Sequence, residues 1–293
     1  MNARFRLVMA PVFHRLASLL FAAAAILVTA APAHADMAKI RQSGALKVAL
    51  YKGLPPFSDN AGGQFTGIDV ALANALSKQM GLSASLLPFD ADDDGMSGDL
   101  RNMVWRGHYL GYGPADVMLH VPVDPNFVRQ NDQVLIFAPY LREAYVLVYD
   151  RERVSKVSSF EDLAGQMTGA EQGTGAASAL LSGAHGALRD KVKIYPEANG
   201  ALHALFSGEI AAAMVTRAQY ESVLKAQNQS ATRYVATELQ SPLLPARGWA
   251  IGMAVKADQR ELAQALENAL NALRASGELQ RIFAQYGVSM AAP

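Results

Sequence analysis

The chain contains no cysteine. That excludes disulfides, cysteine nucleophiles, thiolate metal sites and a lipid-bearing cysteine. Neither sign of charge is in excess: Lys+Arg and Asp+Glu both number 26 in 293 residues. No basic field therefore invites nucleic acid. Charged residues are few, at 18%, against 51% hydrophobic. Such a composition rules out a disordered chain and leaves a globular one of one or two domains. The metalloprotease string H-E-x-x-H and the nucleophile elbow G-x-S-x-G are both missing. After Ala30 no apolar run approaches the length of a membrane span.

What is present at the start is an export layout. Arg4, Arg6 and Arg15 make a positive beginning, and Leu16 to Ala30 is an apolar run short for a span. Ala33-His34-Ala35 then forms an A-x-A cleavage site ahead of Asp36. Residues 1–35 are therefore expected to be a removed signal peptide. Removal leaves 258 residues and takes away three arginines and no acid, so the net charge falls from zero to −3. The expected product is a soluble, exported, periplasmic protein with no lipid anchor.

The rest reads as alternating strands and helices. Leu46 to Tyr51 looks like a strand. Ile68, Leu72, Ala75, Leu76 and Met80 share one helical face, and Gly81 stands where that helix stops. Strands are expected at Ser83 to Pro88 and Ala115 to Val121, with a helix over Asp99 to His108 between them. The series begins again at Gln166 to Glu171, with later strands at Lys191 to Tyr195, Glu209 to Val215 and from Gly248. Helices are expected after Gly175, around Ala201 to Phe206 and over Arg217 to Ala226. Two more close the chain, striped by Leu262, Leu266, Leu270 and Leu273, then by Leu279, Ile282 and Phe283. Such alternation implies mainly parallel sheets covered by helices, an α/β fold in two halves. Ligands of open parallel sheets bind beyond the carboxyl ends of the strands, so two facing halves place a site in the cleft between them.

Several strings carry a resemblance. They are Pro55-Pro56-Phe57 after the first strand, Gly67-Ile68-Asp69-Val70 into a helix, and Ala115-Asp116-Val117 on a strand. Phe137-Ala138-Pro139-Tyr140, Asp162-Leu163-Ala164-Gly165, Gln172-Gly173-Thr174 and a closing Gly277, Leu279, Ile282, Tyr286, Gly287 follow in order. Together these resemble family 3 of the extracellular solute-binding proteins, which serve ABC transporters. The resemblance implies the two-lobed type II periplasmic-binding-protein fold. Each lobe is then a mainly parallel sheet flanked by helices, and two crossover strands join the lobes. Lobe one takes residues 36–140 and 250–293, and lobe two takes the inserted residues 141–249. Ligand binding closes such lobes about a hinge.

The resemblance also points to site residues. Tyr51, Pro56 and Phe57 fall where aromatic residues wall the ligand; a ring offers apolar area and a face for cations. His120 and Pro122 stand where relatives carry a small Gly/Ser/Thr stretch. Pro122 removes a backbone donor, and His120 adds a bulky titratable group. Arg129 matches the arginine that binds a ligand carboxylate, with Arg142 a second candidate cation. Gln172, Gly173, Thr174 and Gly175 form a strand-to-helix turn whose free N–H groups attract anions. Thr216 stands where amino-acid binders carry an acid for the ligand's ammonium. That change and the altered HVPVD segment speak against a standard α-amino acid ligand.

Asp90, Asp92 and Asp94 ahead of Gly95 match half of a calcium loop, but Arg101 holds the twelfth place, where a bidentate Glu belongs. A solvated acidic turn is the expectation, and no metal or cofactor is expected. The leading expectation for function is a monomeric binding protein that delivers a small polar solute to the membrane subunits of an ABC transporter. The alternative is a divergent partner of a periplasmic PQQ-dependent alcohol dehydrogenase. Catalysis is not expected: His120 is a conceivable general base, but the sequence shows no paired acid.

Overall fold

The computed structural model describes residues 33–60 and 63–293, with side chains described from Met37 on. The expected signal peptide falls almost wholly outside these residues. No helix among the described residues is long and apolar enough to cross a membrane. The first element is a helix absent from the sequence expectations, α1 (Ala33–Ser43).

Two five-stranded sheets organise the chain. The first contains β1 (Ala45–Tyr51), β4 (Ser83–Phe89), β5 (Val117–Pro122), β6 (Val134–Glu143) and β12 (Trp249–Lys256), in the order β4-β1-β5-β12-β6. Strand β1 runs parallel to β4 and β5, and β12 runs antiparallel to β5 and β6. The second contains β7 (Tyr145–Asp150), β8 (Thr168–Glu171), β9 (Val192–Tyr195), β10 (Ala212–Thr216) and β11 (Tyr234–Thr237), in the order β11-β7-β10-β8-β9. A two-stranded ribbon, β2 (Gly53–Leu54) and β3 (Ser58–Asp59), fills the loop after β1.

Each sheet has apolar residues on both faces, as helix-covered sheets require. Strand β10 shows the alternation plainly. Ala212 and Met214 enter one core, while Ala213 and Val215 enter the other. Around the first sheet, helix α2 (Ile68–Gln79) packs with the late helices α8 (Arg260–Ala275) and α9 (Glu278–Gln285). Leu72 and Leu76 share one core with Leu266, Leu270 and Phe283. The two ends of the chain thus build one body, and residues 145–248 make the excursion to the other sheet. The outward crossing is a single residue, Ala144, between β6 and β7.

Two β-bulges interrupt the first sheet, both opposite β12. Pairing with β5 shifts register between Gly252 and Ala254, and pairing with β6 shifts between Ile251 and Met253. The first bulge shows in the packing. Val117 and Leu119 face the first core and Met118 the other, yet Val121 lies on the same side as Met118. A residue has been inserted near His120, which re-aims the end of the strand. Gly252 sits between the bulges because a Cβ there would come within 2.5 Å of the Phe137 carbonyl oxygen. Beyond β4, helix α3 (Met96–Leu100) continues into a π-helical turn, Arg101–Trp105, where a plain helix was expected.

Candidate functional site

A cleft of about 230 Å³ lies where the two sheets meet. The first sheet and its ribbon supply Leu54, Phe57, His120, Glu143 and Trp249. The second supplies Tyr145, Glu171, Thr174, Met214, Thr216 and Gln219. His120, Glu171 and Thr216 all stand at or near the carboxyl ends of their strands. That is where an open α/β sheet presents its ligand groups.

His120 is held in an unusual way. Its φ is +62°, left-handed backbone that a non-glycine residue seldom adopts. Three contacts fix it there. Its N–H donates to the Tyr140 hydroxyl at 3.0 Å, its Nδ1 lies 2.9 Å from Asp69 Oδ2, and its ring packs on Phe57 at 4.3 Å between centroids. Tyr140 in turn donates to Asp69 Oδ1 at 2.7 Å. Asp69 is fully buried in the first turn of α2. So the acid that pairs with His120 exists after all; it lies 51 residues away in sequence, where spacing could not show it. Burial, with Asp69 beside it, holds the Tyr140 hydroxyl well above the usual tyrosine range.

Glu143 ends β6 and is 3% exposed. Its Oε1 accepts the Ala144 N–H at 3.0 Å, and its Oε2 is buried with no partner in hydrogen-bonding geometry. Burial raises its pKa, while the nearby Ala144 and Ala218 amides, His120 and the Thr216 hydroxyl pull it partway back. Glu171, half-buried on the opposite wall, is also raised, chiefly by burial; the Gln219 side chain and the Ala198 amide offset part of that. The Tyr145 and Trp249 rings, which line the same cleft, meet at 5.0 Å, tilted by 50°.

Of the residues expected at the site, Phe57, His120, Thr174 and Thr216 line this cleft. Thr174 and Thr216 also act as helix N-caps. Thr174 Oγ1 accepts the Ala177 N–H, and Thr216 forms a capping box with Gln219. Gly175 lies just behind the wall, where a Cβ would be 3.4 Å from the Tyr145 ring.

The other expected residues lie elsewhere. Tyr51 turns away, and its hydroxyl donates to Asp99 at 2.6 Å. Pro122 is half-buried at the end of β5, paired with Ile251. Gln172 and Gly173 are exposed and outside the lining, with Gly173 in left-handed backbone that turns the loop outward. Arg129 is exposed on the short helix α4 (Pro125–Gln130) and bonds to Asn126. Asp124 caps that helix and Pro125 starts it; the winding carries the arginine away from the cleft. Arg142 is exposed and donates to the Arg247 carbonyl at 3.2 Å.

The acidic loop is self-contained. Asp92 accepts the Asp94 N–H, Asp94 pairs with Arg101 at 3.0 Å, and Asp90 pairs with Lys52 at 2.8 Å. Arg101 thus folds a cation onto the loop where a calcium site needs a carboxylate. Among the described residues no group of three His, Asp or Glu is placed to hold a metal.

No family model matches the sequence, and no curated protein does. Solved structures do match. An ancestral cationic amino acid solute-binding protein superposes with a TM-score of 0.67 at 21% identity, over 86% of this chain and 99% of that one. The substrate-binding protein of an ABC uptake transporter from Streptococcus pneumoniae, with bound histidine, gives 0.63 at 17% identity over 88% and 98%. A polar amino acid counterpart from Streptococcus thermophilus gives 0.63 at 20% identity over 87% and 90%. The fold is that of the two-lobed solute-binding proteins.

In this fold the polar and aromatic cleft residues missed from the sequence include Glu143, Tyr145, Glu171 and Trp249, and behind them the buried Asp69 that holds His120. One signal was available. Glu143 is an acid at the junction of two apolar strands, in LREAYVLVYD, and a charge there has no solvated face to occupy. Asp69 had a signal too, inside the quoted G-x-D-V string, but its partners come from β5 and β6.

Proposed function

We propose that the protein is a periplasmic solute-binding protein that captures a small polar solute in the interlobe cleft and delivers it to an ABC transporter. The observation that carries this reading is the cleft itself. Polar and aromatic side chains converge on it from two sheets that share two chain crossings. Such an arrangement needs no covalent chemistry, only closure and a higher affinity in the closed state. In the proposal residues 36–140 and 250–293 form lobe one, residues 141–249 form lobe two, and the exported protein is a monomer. Of the structures it resembles, one is described as the substrate-binding protein of a polar amino acid ABC uptake transporter and another as that of an ABC uptake transporter with bound histidine, which supports the transport reading. The dehydrogenase-partner alternative draws no support from them.

The test is a thermal-shift screen of residues 36–293 against amino acids, amines, organic acids, sugars and alcohols. A ligand at 100-fold excess over Kd adds about 2.7 kcal/mol of stability. The expected result is one chemical class that raises Tm, with small-angle scattering showing a smaller radius in its presence. A flat screen would overturn the solute-binding reading. Export is checked separately: protein from the periplasm should begin at Asp36.

A further inference from the structure

We propose that the cleft takes an organic amine that carries no carboxylate. This rests on the solute-binding reading and narrows it to a ligand class. The first observation is Glu143 Oε2, which is buried in the cleft wall with no donor in good hydrogen-bonding geometry, the Thr216 hydroxyl and the Ala218 amide being the neutral donors that face the carboxyl group. A buried carboxylate so weakly satisfied is costly, and a ligand ammonium is the charged donor that fits it. The second observation is the charge of the lining. Glu143 and Glu171 are both acids, and no Arg or Lys is among the lining residues. The single basic residue in the lining, His120, already has its Nδ1 on Asp69. A ligand carboxylate would meet two like charges and no guanidinium. The third observation is the pair of rings, Tyr145 and Trp249, set beside the carboxylates. Ring faces attract cations and the alkyl segments that carry them.

Proton linkage follows the same geometry. The groups facing Glu143 are His120 from β5, Tyr145 from β7, and the Thr216 hydroxyl and Ala218 amide at the start of the next helix, with Glu171 farther along the wall. Burial favours the protonated acid, and an entering ammonium favours the carboxylate. Amine affinity should therefore rise with pH as Glu143 ionises.

Titration calorimetry on residues 36–293 with matched pairs tests this: agmatine and arginine, putrescine and ornithine, histamine and histidine. At least one amine should bind, with its parent amino acid about tenfold or more weaker. Glu143→Gln should weaken that amine by about tenfold to a hundredfold, the scale of one charge-assisted hydrogen bond. Should Glu143→Gln fail to fold, Glu171→Gln carries the same test from the other wall. Amino acids binding as tightly as their amines would overturn the proposal and leave a solute-binding protein standing. So would binding confined to neutral or anionic solutes from the screen. No binding by any solute would remove both readings together.

Discussion

At the scale of single residues, the Asp69, His120 and Tyr140 cluster determines how the cleft floor is held. Tyr140 both donates to Asp69 and accepts from the His120 amide, so one hydroxyl serves two neighbours. Tyr140→Phe removes it and leaves buried Asp69 Oδ1 without its donor. Chemical unfolding should show a loss of about 1–3 kcal/mol, the cost of an unsatisfied buried group. Ligand affinity should fall as well, because nothing else ties His120 to its left-handed backbone from that side. Arg129→Ala is the opposite case. Its guanidinium is exposed and bonded to Asn126 on its own helix, so calorimetry should find affinity unchanged. Phe57 and His120 were expected at the cleft through the family resemblance, Phe57 in the loop after the first strand and His120 near the end of β5. Glu171 was not, because nothing local tells its half-buried charge from a solvated one, whereas Glu143 left a trace at the junction of two apolar strands.

At the scale of elements, most of the fold was legible. Period-2 and period-3.6 patterns located β1, β4, α2 and the two closing helices within a residue or two, since each has one dominant core face. The bulges were not legible. Which residue is extra depends on the strand opposite, and for β5 and β6 that strand is β12, more than a hundred residues later. Yet the bulges are what bring His120 and Tyr140 to one place. Gly252 permits both by letting the Phe137 carbonyl approach. Gly252→Ala should destabilise by about 1–3 kcal/mol through overpacking, read as a lower urea midpoint with an unchanged slope. The place of Arg129 also turns on a local signal: the D-P-N start of α4 winds a short helix that leaves the arginine exposed and outside the cleft lining, whereas the family resemblance alone pointed to it as a ligand contact.

At the scale of the whole molecule, opposing carboxylates shape stability against pH. Asp150 is fully buried, which alone would raise its pKa, but the Arg233 guanidinium on both its oxygens outweighs burial and lowers it. A depressed folded value stabilises above the unfolded pKa, and the gain is lost as pH falls through the folded value. Glu143 has the reverse sign. Its raised folded value means that stability falls as pH climbs from the ordinary glutamate range through that value. The wild type should therefore show its highest Tm in weak acid. Glu143→Gln should melt higher than wild type at neutral pH, and the difference should vanish below about pH 4.3, where both states hold the proton. Calorimetric scans across pH check this. A neutral-pH Tm equal to wild type would mean that the carboxylate costs the fold nothing.

The same residue also stands where the chain crosses between the sheets, the pivot of the proposed closure. Glu143 is the last residue before the chain leaves the first sheet, and Trp249, the first to return, is its ladder partner. Gly248 lies against the Glu143 carbonyl so closely that any Cβ would collide with it. Out-strand and back-strand, paired along their length, end their ladder at Glu143 and Trp249, and that end bears a buried carboxylate. In the proposed closure of the two lobes, a charge met there has almost no lever arm, so it turns them very little by itself. Its effect is on the stiffness of the joint. Occupancy should appear first as slower amide exchange at residues 143–145 and 248–250, before the tips of either lobe have moved.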